Sequence, residues 1–306
     1  MPSHWLTLKR SVESHFPPSE HSQHASEHPF SGRLLASRAL PVSESTERSG
    51  FSSPLHLDIE HSIPVPPQRR CRRWLPRWVL GQTPDKDHLS VRITMKKAGA
   101  ISLFDAARAG REGVDNTGLA GRTWLAEEAL VLHCLRDEAT RKLISGSSLI
   151  ELGAGGSALV SLAVTHTLEP ARVVATDGNE QALKLLRHNT SSTPQIECAL
   201  LKWSEGCSLR DPREQFNVLV AADVAFFEHF HPHLAAEIYQ RLRPGGTAIL
   251  MNPNRRGSLG RLLEHVSAQP QLSLRMHCQT LSGSSLLADN DADWNVPICT
   301  IIDKEE

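Results

Sequence analysis

The stretch that most constrains this chain runs from Ser148 to Asn179, SLIELGAGGSALVSLAVTHTLEPARVVATDGN. A short apolar run, Leu149 to Leu152, breaks off at Gly153-Ala154-Gly155-Gly156. Ser157 then opens an apolar, helix-compatible segment to about Thr167, and a β-branched run, Arg172 to Thr176, stops at Asp177. Strand, glycine turn, helix, strand and acid make half of a nucleotide-binding α/β sheet. Glycines let the backbone turn tightly and approach a ligand where a Cβ would collide. The helix that begins there offers unpaired N–H groups and the positive end of its dipole. Asp177, at the carboxyl end of the second strand, stands where a carboxylate accepts hydrogen bonds from both hydroxyls of an adenosine ribose.

Gly153-x-Gly155-x-x-Ala158 also fits a dinucleotide fingerprint, but two features favour S-adenosylmethionine over NAD. Glu151 precedes the glycines, where its charge would oppose a pyrophosphate and suits the ammonium of a methionine moiety. Downstream, Leu242-Arg243-Pro244-Gly245-Gly246 leads into the apolar strand Thr247 to Met251, a turn similar to the one before the fifth strand of methyltransferases that use this donor. A Walker-type lysine loop is missing, which argues against ATP.

The 306 residues have room for one large domain plus a tail, or two small domains. The 33 basic and 34 acidic residues nearly cancel, which argues against general nucleic-acid binding. The six cysteines form no CxxC pair and read as reduced thiols of an intracellular protein. The 16 histidines are not spaced as ligands, so no metal is expected. No apolar run approaches the roughly 18 residues of a membrane span, and the first thirty residues suit neither a secretory signal nor a transit peptide. The expected location is the cytoplasm, with nuclear entry open.

Residues 1–68, rich in Ser, Pro, His and Glu, are expected to be a disordered N-terminal tail, since they bury too little apolar surface to offset ordering. An accessory segment, 69–147, follows. It opens with Arg69 to Trp78, five arginines and two tryptophans in ten residues, either a docking surface for an acidic protein or a solvated charge run. Residues His88 to Leu103 suggest two short strands in a hairpin, Asp115-Asn116-Thr117-Gly118 a turn, and Leu125 to Arg136 a helix. The core, 148–306, alternates strands with helices, with Asn179 as a helix cap. The fold class is α/β: a three-layer sandwich around a mostly parallel sheet.

In such sheets ligands sit outside the carboxyl ends of the strands. Those ends carry Glu151 and Gly153, Ala154 and Gly155 on the first strand, Asp177 on the second and Trp203 on the third. Ala222 and Asp223 close the fourth, and Asn252 the fifth. Trp203 offers a face for adenine, or is a packing tryptophan. Ala222 is small enough to let adenine approach. Asp223 ends an apolar strand, where a charge is costly unless solvated or paired, and reads as a functional acid or a cap. Phe226 and Phe227 form an aromatic wall for a cation, or plain core.

These residues resemble the seven-β-strand protein-lysine methyltransferases. The likeness is carried by Asp115-Asn116-Thr117-Gly118 with Trp124 and Glu127-Glu128, by Glu151-Leu152-Gly153-Ala154-Gly155 and by Thr176-Asp177-Gly178-Asn179-Glu180. It continues in Leu201-Lys202-Trp203, Ala222-Asp223-x-x-Phe226-Phe227 and Arg255-Arg256-Gly257-Ser258-Leu259, and covers about residues 72–302. Siblings carry Asp-x-x-Tyr after the fourth strand; Asp223-x-x-Phe226 matches the calmodulin-directed branch. Ser157 in place of a third glycine and Leu125 in place of proline are departures. The resemblance implies a seven-stranded sheet with an antiparallel last strand and a monomeric enzyme needing no metal. Cofactor contacts are implied at Trp124, Gly153 to Gly155, Asp177, Trp203 and Ala222. Asp223 is expected to orient the lysine, with Phe226 part of its channel, and the acidic substrate the resemblance implies, calmodulin, makes Arg69 to Arg77 and Arg255 and Arg256 candidate steering charges. The same chemistry on another protein's lysine, and a catalytically silent binding module, are the rivals.

Overall fold

The computed structural model describes residues 35–40, 56–64, 88–96, 123–203, 206–207, 213–253, 257–269, 272–275 and 297–305. Three strands come first: β1 (Ala36–Leu40), β2 (His56–Pro64) and β3 (His88–Lys96). Helices α1 (Leu125–Arg136) and α2 (Glu138–Ile144) lead into β4 (Ser148–Leu152), α3 (Leu159–Leu168), β5 (Arg172–Asp177), α4 (Glu180–Asn189) and β6 (Ile196–Lys202). After the two-residue β7 (Gly206–Cys207) come β8 (Phe216–Ala222), a 3-10 turn (Glu228–Phe230), α5 (His231–Arg241) and β9 (Leu242–Pro253). The chain closes with α6 (Ser258–Ser267), β10 (Leu272–Arg275) and β11 (Pro297–Lys304).

The main sheet has the order β10-β11-β9-β8-β4-β5-β6-β7. Strands β9, β8, β4, β5 and β6 run parallel; β11 is antiparallel to both β9 and β10. Leaving aside β7, an antiparallel stub on β6, this is the expected seven-stranded sheet with its last strand reversed. Strand order reverses between β4 and β8, the switch point where a crevice opens at the carboxyl ends.

Side-chain alternation assigns each residue of a strand to a face. Leu149, Val173, Ala175, Val218, Val220, Ile249 and Met251 pack with α1 and α3. Their neighbours Ile150, Leu152, Val174, Leu219, Ala221, Ala248 and Leu250 pack with Leu234 and Ile238 of α5 and Leu262 and Val266 of α6. Helix α1 is buried from Ala126 to Leu135 without interruption, its acids Glu127 and Glu128 included.

The segment up to residue 68, expected to be disordered, contains β1 and β2, which pair antiparallel with each other and then with β3. Period-2 alternation is the reason: Ile59 and Ile63 on β2 meet Val91, Ile93 and Met95 of β3 in one fully buried face. Of the two short strands expected within 88–103, the described residues show one, β3 (nine residues), paired with β2 earlier in the chain; residues 97–103 lie outside the described residues. Helix α3 starts at Leu159, two residues after Ser157, because Ala158 takes a left-handed backbone, φ 50°. Helix α2 was not anticipated. Asp137 caps it, its side chain accepting the N–H of Thr140 at 2.8 Å.

Candidate active site

The crevice is built from loops leaving β4, β5, β6 and β8. Gly153 and Gly155 both take positive φ (66° and 61°), open to glycine without strain. The loop is stitched to β5 through Ala154 N–H on the Thr176 carbonyl, 2.8 Å, and Gly155 N–H on Oδ2 of Asp177, 2.9 Å. The other oxygen of Asp177 accepts the N–H of Asn179 at 2.8 Å. A carboxylate oxygen can accept two bonds, so one side chain can order the loop and also receive ribose hydroxyls. Asp177 is 7% exposed, at the sheet's carboxyl edge.

Gly153 joins the cofactor side to the opposite wall. A Cβ there would stand 2.9 Å from Cγ1 of Val224 and 3.8 Å from Cζ2 of Trp203. Any side chain would fill the space between the turn, the tryptophan and the loop after β8. Gly153, Gly155, Asp177, Trp203 and the Ala222–Val224 strand end are therefore one neighbourhood, as the strand-end reasoning anticipated.

Glu151 sits differently from the expectation. It shares the face of Leu149, beneath α3, and Oε2 accepts both the N–H of Ser161 (3.0 Å) and its hydroxyl. The hydrogen bonds seen at this carboxyl run into α3. Burial pushes its pKa up to about 7. Trp124 is the residue before α1, half-buried, and its carbonyl accepts the N–H groups of Glu127 and Glu128. It borders the loop through Glu127, a buried residue that the sequence reasoning did not assign to the site. One oxygen of Glu127 accepts the Ser157 hydroxyl and the Leu159 N–H (3.1 Å), while the other accepts the Trp124 N–H at 3.4 Å. Burial, then the nearby Glu151 charge, push the Glu127 pKa up to about 8. Ser157, a departure from the glycine pattern, is thus a working contact.

On the far wall Asp223 follows β8 with φ 53°, a left-handed backbone uncommon for a residue with a side chain and tolerated best by Asn and Asp. Its N–H bonds the Met251 carbonyl at 2.9 Å. Asn252, wholly buried at the end of β9, holds the next two residues: Oδ1 accepts Val224 N–H at 2.7 Å and Ala225 N–H at 3.0 Å. The Asn252 Nδ2 group is buried with no hydrogen-bond partner. Ring Nε2 of His231 lies 3.0 Å from the Ala225 carbonyl.

Beyond this turn stands a chain of rings. Phe226 and Phe227 meet edge to face at 4.8 Å, Phe227 and Phe230 at 6.4 Å, and Phe230 and Trp203 at 5.9 Å. His229 leans on Phe230 at 4.1 Å. Phe226 is thus joined to Trp203 through two further rings. Phe230 and His229 were legible only as an aromatic-rich run, Phe226 to Phe230. Arg69 to Trp78, Asp115 to Gly118, and Arg255 with Arg256 lie outside the described residues. Among the described residues no His, Cys, Asp and Glu group could hold a metal, and no helix is long and apolar enough to cross a membrane.

The fold is a mostly parallel α/β sheet with a glycine turn and an acid at adjacent strand ends, the layout of a nucleotide-binding site. The family model of lysine methyltransferases matches residues 110–266, more than half of the chain, and the chain belongs to that family. It is 28% identical over 182 residues to a calmodulin-lysine N-methyltransferase of Arabidopsis thaliana, covering 57% of this chain and 58% of that protein. The chain thus spans less than two thirds of that relative's length. Among solved structures, a methyltransferase of Pyrococcus furiosus superposes with TM-score 0.45 at 18% identity, over 67% of this chain and 96% of that one. An O-methyltransferase of Bacillus cereus in complex with SAH gives 0.42 at 16%, over 66% and 87%. At those scores neither adds to the topology already traced.

The family is one of lysine methyltransferases, enzymes whose methyl donor is S-adenosylmethionine. The residues present fit that donor: the bare Gly153 turn leaves room beside Trp203, and Asp177 stands at the neighbouring strand end.

Proposed function

We propose that this chain methylates the ε-amine of a lysine, and that the lysine belongs to calmodulin. The observation that carries the reading is Asp223, held in a left-handed backbone at the end of β8, next to Val224, which faces Gly153, and three residues before Phe226. Strained residues persist where the surroundings over-determine them, and they cluster at functional sites.

Bound S-adenosylmethionine supplies an electrophilic methyl group. The chain's own task is to present a neutral amine to it. A free lysine has a pKa of about 10.4, so the site must shed a proton that solution would keep. The Asp223 carboxylate orients the incoming ammonium, directly or through water, and the proton lost from it passes to that water and out to solvent, leaving the neutral amine to attack the methyl group. Phe226 and its neighbours attract the cation by their ring faces and keep bulk water from the amine once it is neutral. Positioning on the methyl axis supplies most of the rate. Calmodulin is favoured by the 28%-identical relative and by phenylalanine at position 226. Its acidity suits the arginines of Arg69 to Arg77 and of Arg255 and Arg256.

The test is incubation with labelled S-adenosylmethionine and calmodulin beside a panel of other lysine-containing proteins, with mass spectrometry of the product. Label on a calmodulin lysine is expected. Label elsewhere with calmodulin blank keeps the reaction and removes the substrate. Donor binding without label on any protein removes the activity.

A further inference from the structure

The glycine loop is gripped from outside the sheet at two points, both in contact with the segment before β4. Asn189, the last residue of α4, faces the middle of β3. Its Oδ1 accepts the N–H of Thr94 at 2.8 Å and its Nδ2 donates to the Thr94 carbonyl at 3.0 Å, pairing with the strand much as another backbone would. The second hydrogen of the same amide goes to the Gly156 carbonyl, 2.7 Å away. Gly156 also lies so close to α4 that a Cβ would meet Leu185 at 2.6 Å. On the other side Glu127 of α1 takes the Ser157 hydroxyl and the Leu159 N–H. Its neighbour Glu128 accepts the N–H of Leu35, at the entry to β1, at 3.0 Å.

Between these two grips sits Ala158 at φ 50°. A residue with a Cβ pays for that conformation and keeps it only where its surroundings impose it. The left-handed step at Ala158 sets where α3 begins, directly after the loop that Asp177 holds at Gly155.

We propose that Asn189 and Glu127 are positioning residues for the methyl donor. By locking residues 156–159 to β3 and α1, they make the N-terminal sheet and α1 part of the cofactor site. The proposal rests on the donor assignment above but on no choice of substrate. Burial favours the protonated form of Glu127 at neutral pH, and glutamine is the neutral isostere of that form.

The test is S-adenosylmethionine binding by calorimetry on the full chain, well below the melting temperature of every variant, so that lost global stability cannot alter the affinity of the folded protein. Asn189→Ala and Glu127→Ala should each weaken binding roughly tenfold, the scale of one unsatisfied buried group. Glu127→Gln should restore affinity to within about threefold. Asn189→Asp serves if the alanine variant does not fold. It keeps the Thr94 N–H bond while setting a carboxylate against two carbonyls, and should also weaken binding roughly tenfold. Alanine variants within twofold of the parent would overturn the proposal, as would Glu127→Gln no better than Glu127→Ala. If the parent itself fails to bind, the donor assignment falls instead.

Discussion

The two walls of the crevice meet at Gly153, where a Cβ would touch both Val224 and Trp203, yet they are made of opposite materials. The donor wall is backbone held by buried acids: Asp177 on Gly155, Glu127 on Leu159, Glu151 on Ser161. The opposite wall, called the lysine wall for the role proposed for it, is a left-handed turn held by one amide, Asn252, and lined by half-buried rings. A wall that recognises one invariant small molecule can be rigid and fully bonded. A wall that admits a long side chain from another protein needs apolar surface open to solvent, and such surface cannot be buried in advance.

The sharpest break of that comparison is Asp177→Ala. It removes the acceptor of two loop N–H groups together with the acceptor proposed for ribose, each a charged hydrogen bond worth about 1.5–3 kcal/mol. S-adenosylmethionine affinity should fall at least about a hundredfold in calorimetry. A smaller loss would mean that the glycine turn holds its shape without the acid. Asp223→Gly comes next and should act on the other wall alone. Glycine suits φ 53° better than aspartate does, so the variant should melt no lower than the parent. Turnover on a lysine substrate should nevertheless fall roughly a hundredfold, with donor affinity within twofold, because the orienting group is gone. Unchanged turnover would leave Asp223 as a turn residue only. Asn252→Ala should have a milder version of that effect, roughly tenfold in kcat/KM for the protein substrate. It leaves the Val224 and Ala225 N–H groups without their acceptor while sparing Asp223 itself.

What the sequence disclosed divides along the same line. Strand ends of a parallel sheet are fixed by local pattern, so Gly153, Asp177, Trp203 and Asp223 could be placed together from apolar runs and where they stop. Helix α1 (Leu125–Arg136) coincides with its expected bounds because these too are set by local pattern. Pairings across long separations left no local trace. β2 reads as tail until β3 supplies a partner for Ile59 and Ile63, and the Asn189 contact to Thr94 spans 95 residues. Glu151 was assigned to the ligand because its place next to the glycines is legible, whereas its face of the sheet depends on strand parity, and that parity turns its carboxyl toward Ser161. Ser157 read as a defect in the glycine pattern, because its partner Glu127 lies on a different helix.

The smallest expected effect follows from the buried acids of the donor wall. In the unfolded chain Glu127 and Glu151 ionise as ordinary carboxyls, near pH 4.5, while in the folded protein they are raised to about 8 and about 7. The folded state therefore holds protons that the unfolded state has released, and stability must fall as pH rises through that interval, levelling off above about 8. Buried His231 of the lysine wall, with its pKa lowered by burial, acts in the opposite sense. It costs stability as pH falls below its unfolded value of 6.5, and so do His166 and His188. Over a scan from about pH 7 to 8.5 these histidines are mostly neutral in both states, and the buried thiols of Cys134 and Cys299, also raised by burial, add only a smaller fall of the same sign near its upper end, so the acids dominate. The melting temperature should drop by a few degrees across it, at roughly 2–4 °C per kcal/mol for a domain of this size. Glu127→Gln has no proton to lose at that position and should flatten most of the slope. A parent curve that is level, or that rises, over this range would mean that Glu127 is ionised in the folded protein. The donor wall would then hold a charge where its burial argues for a neutral acid.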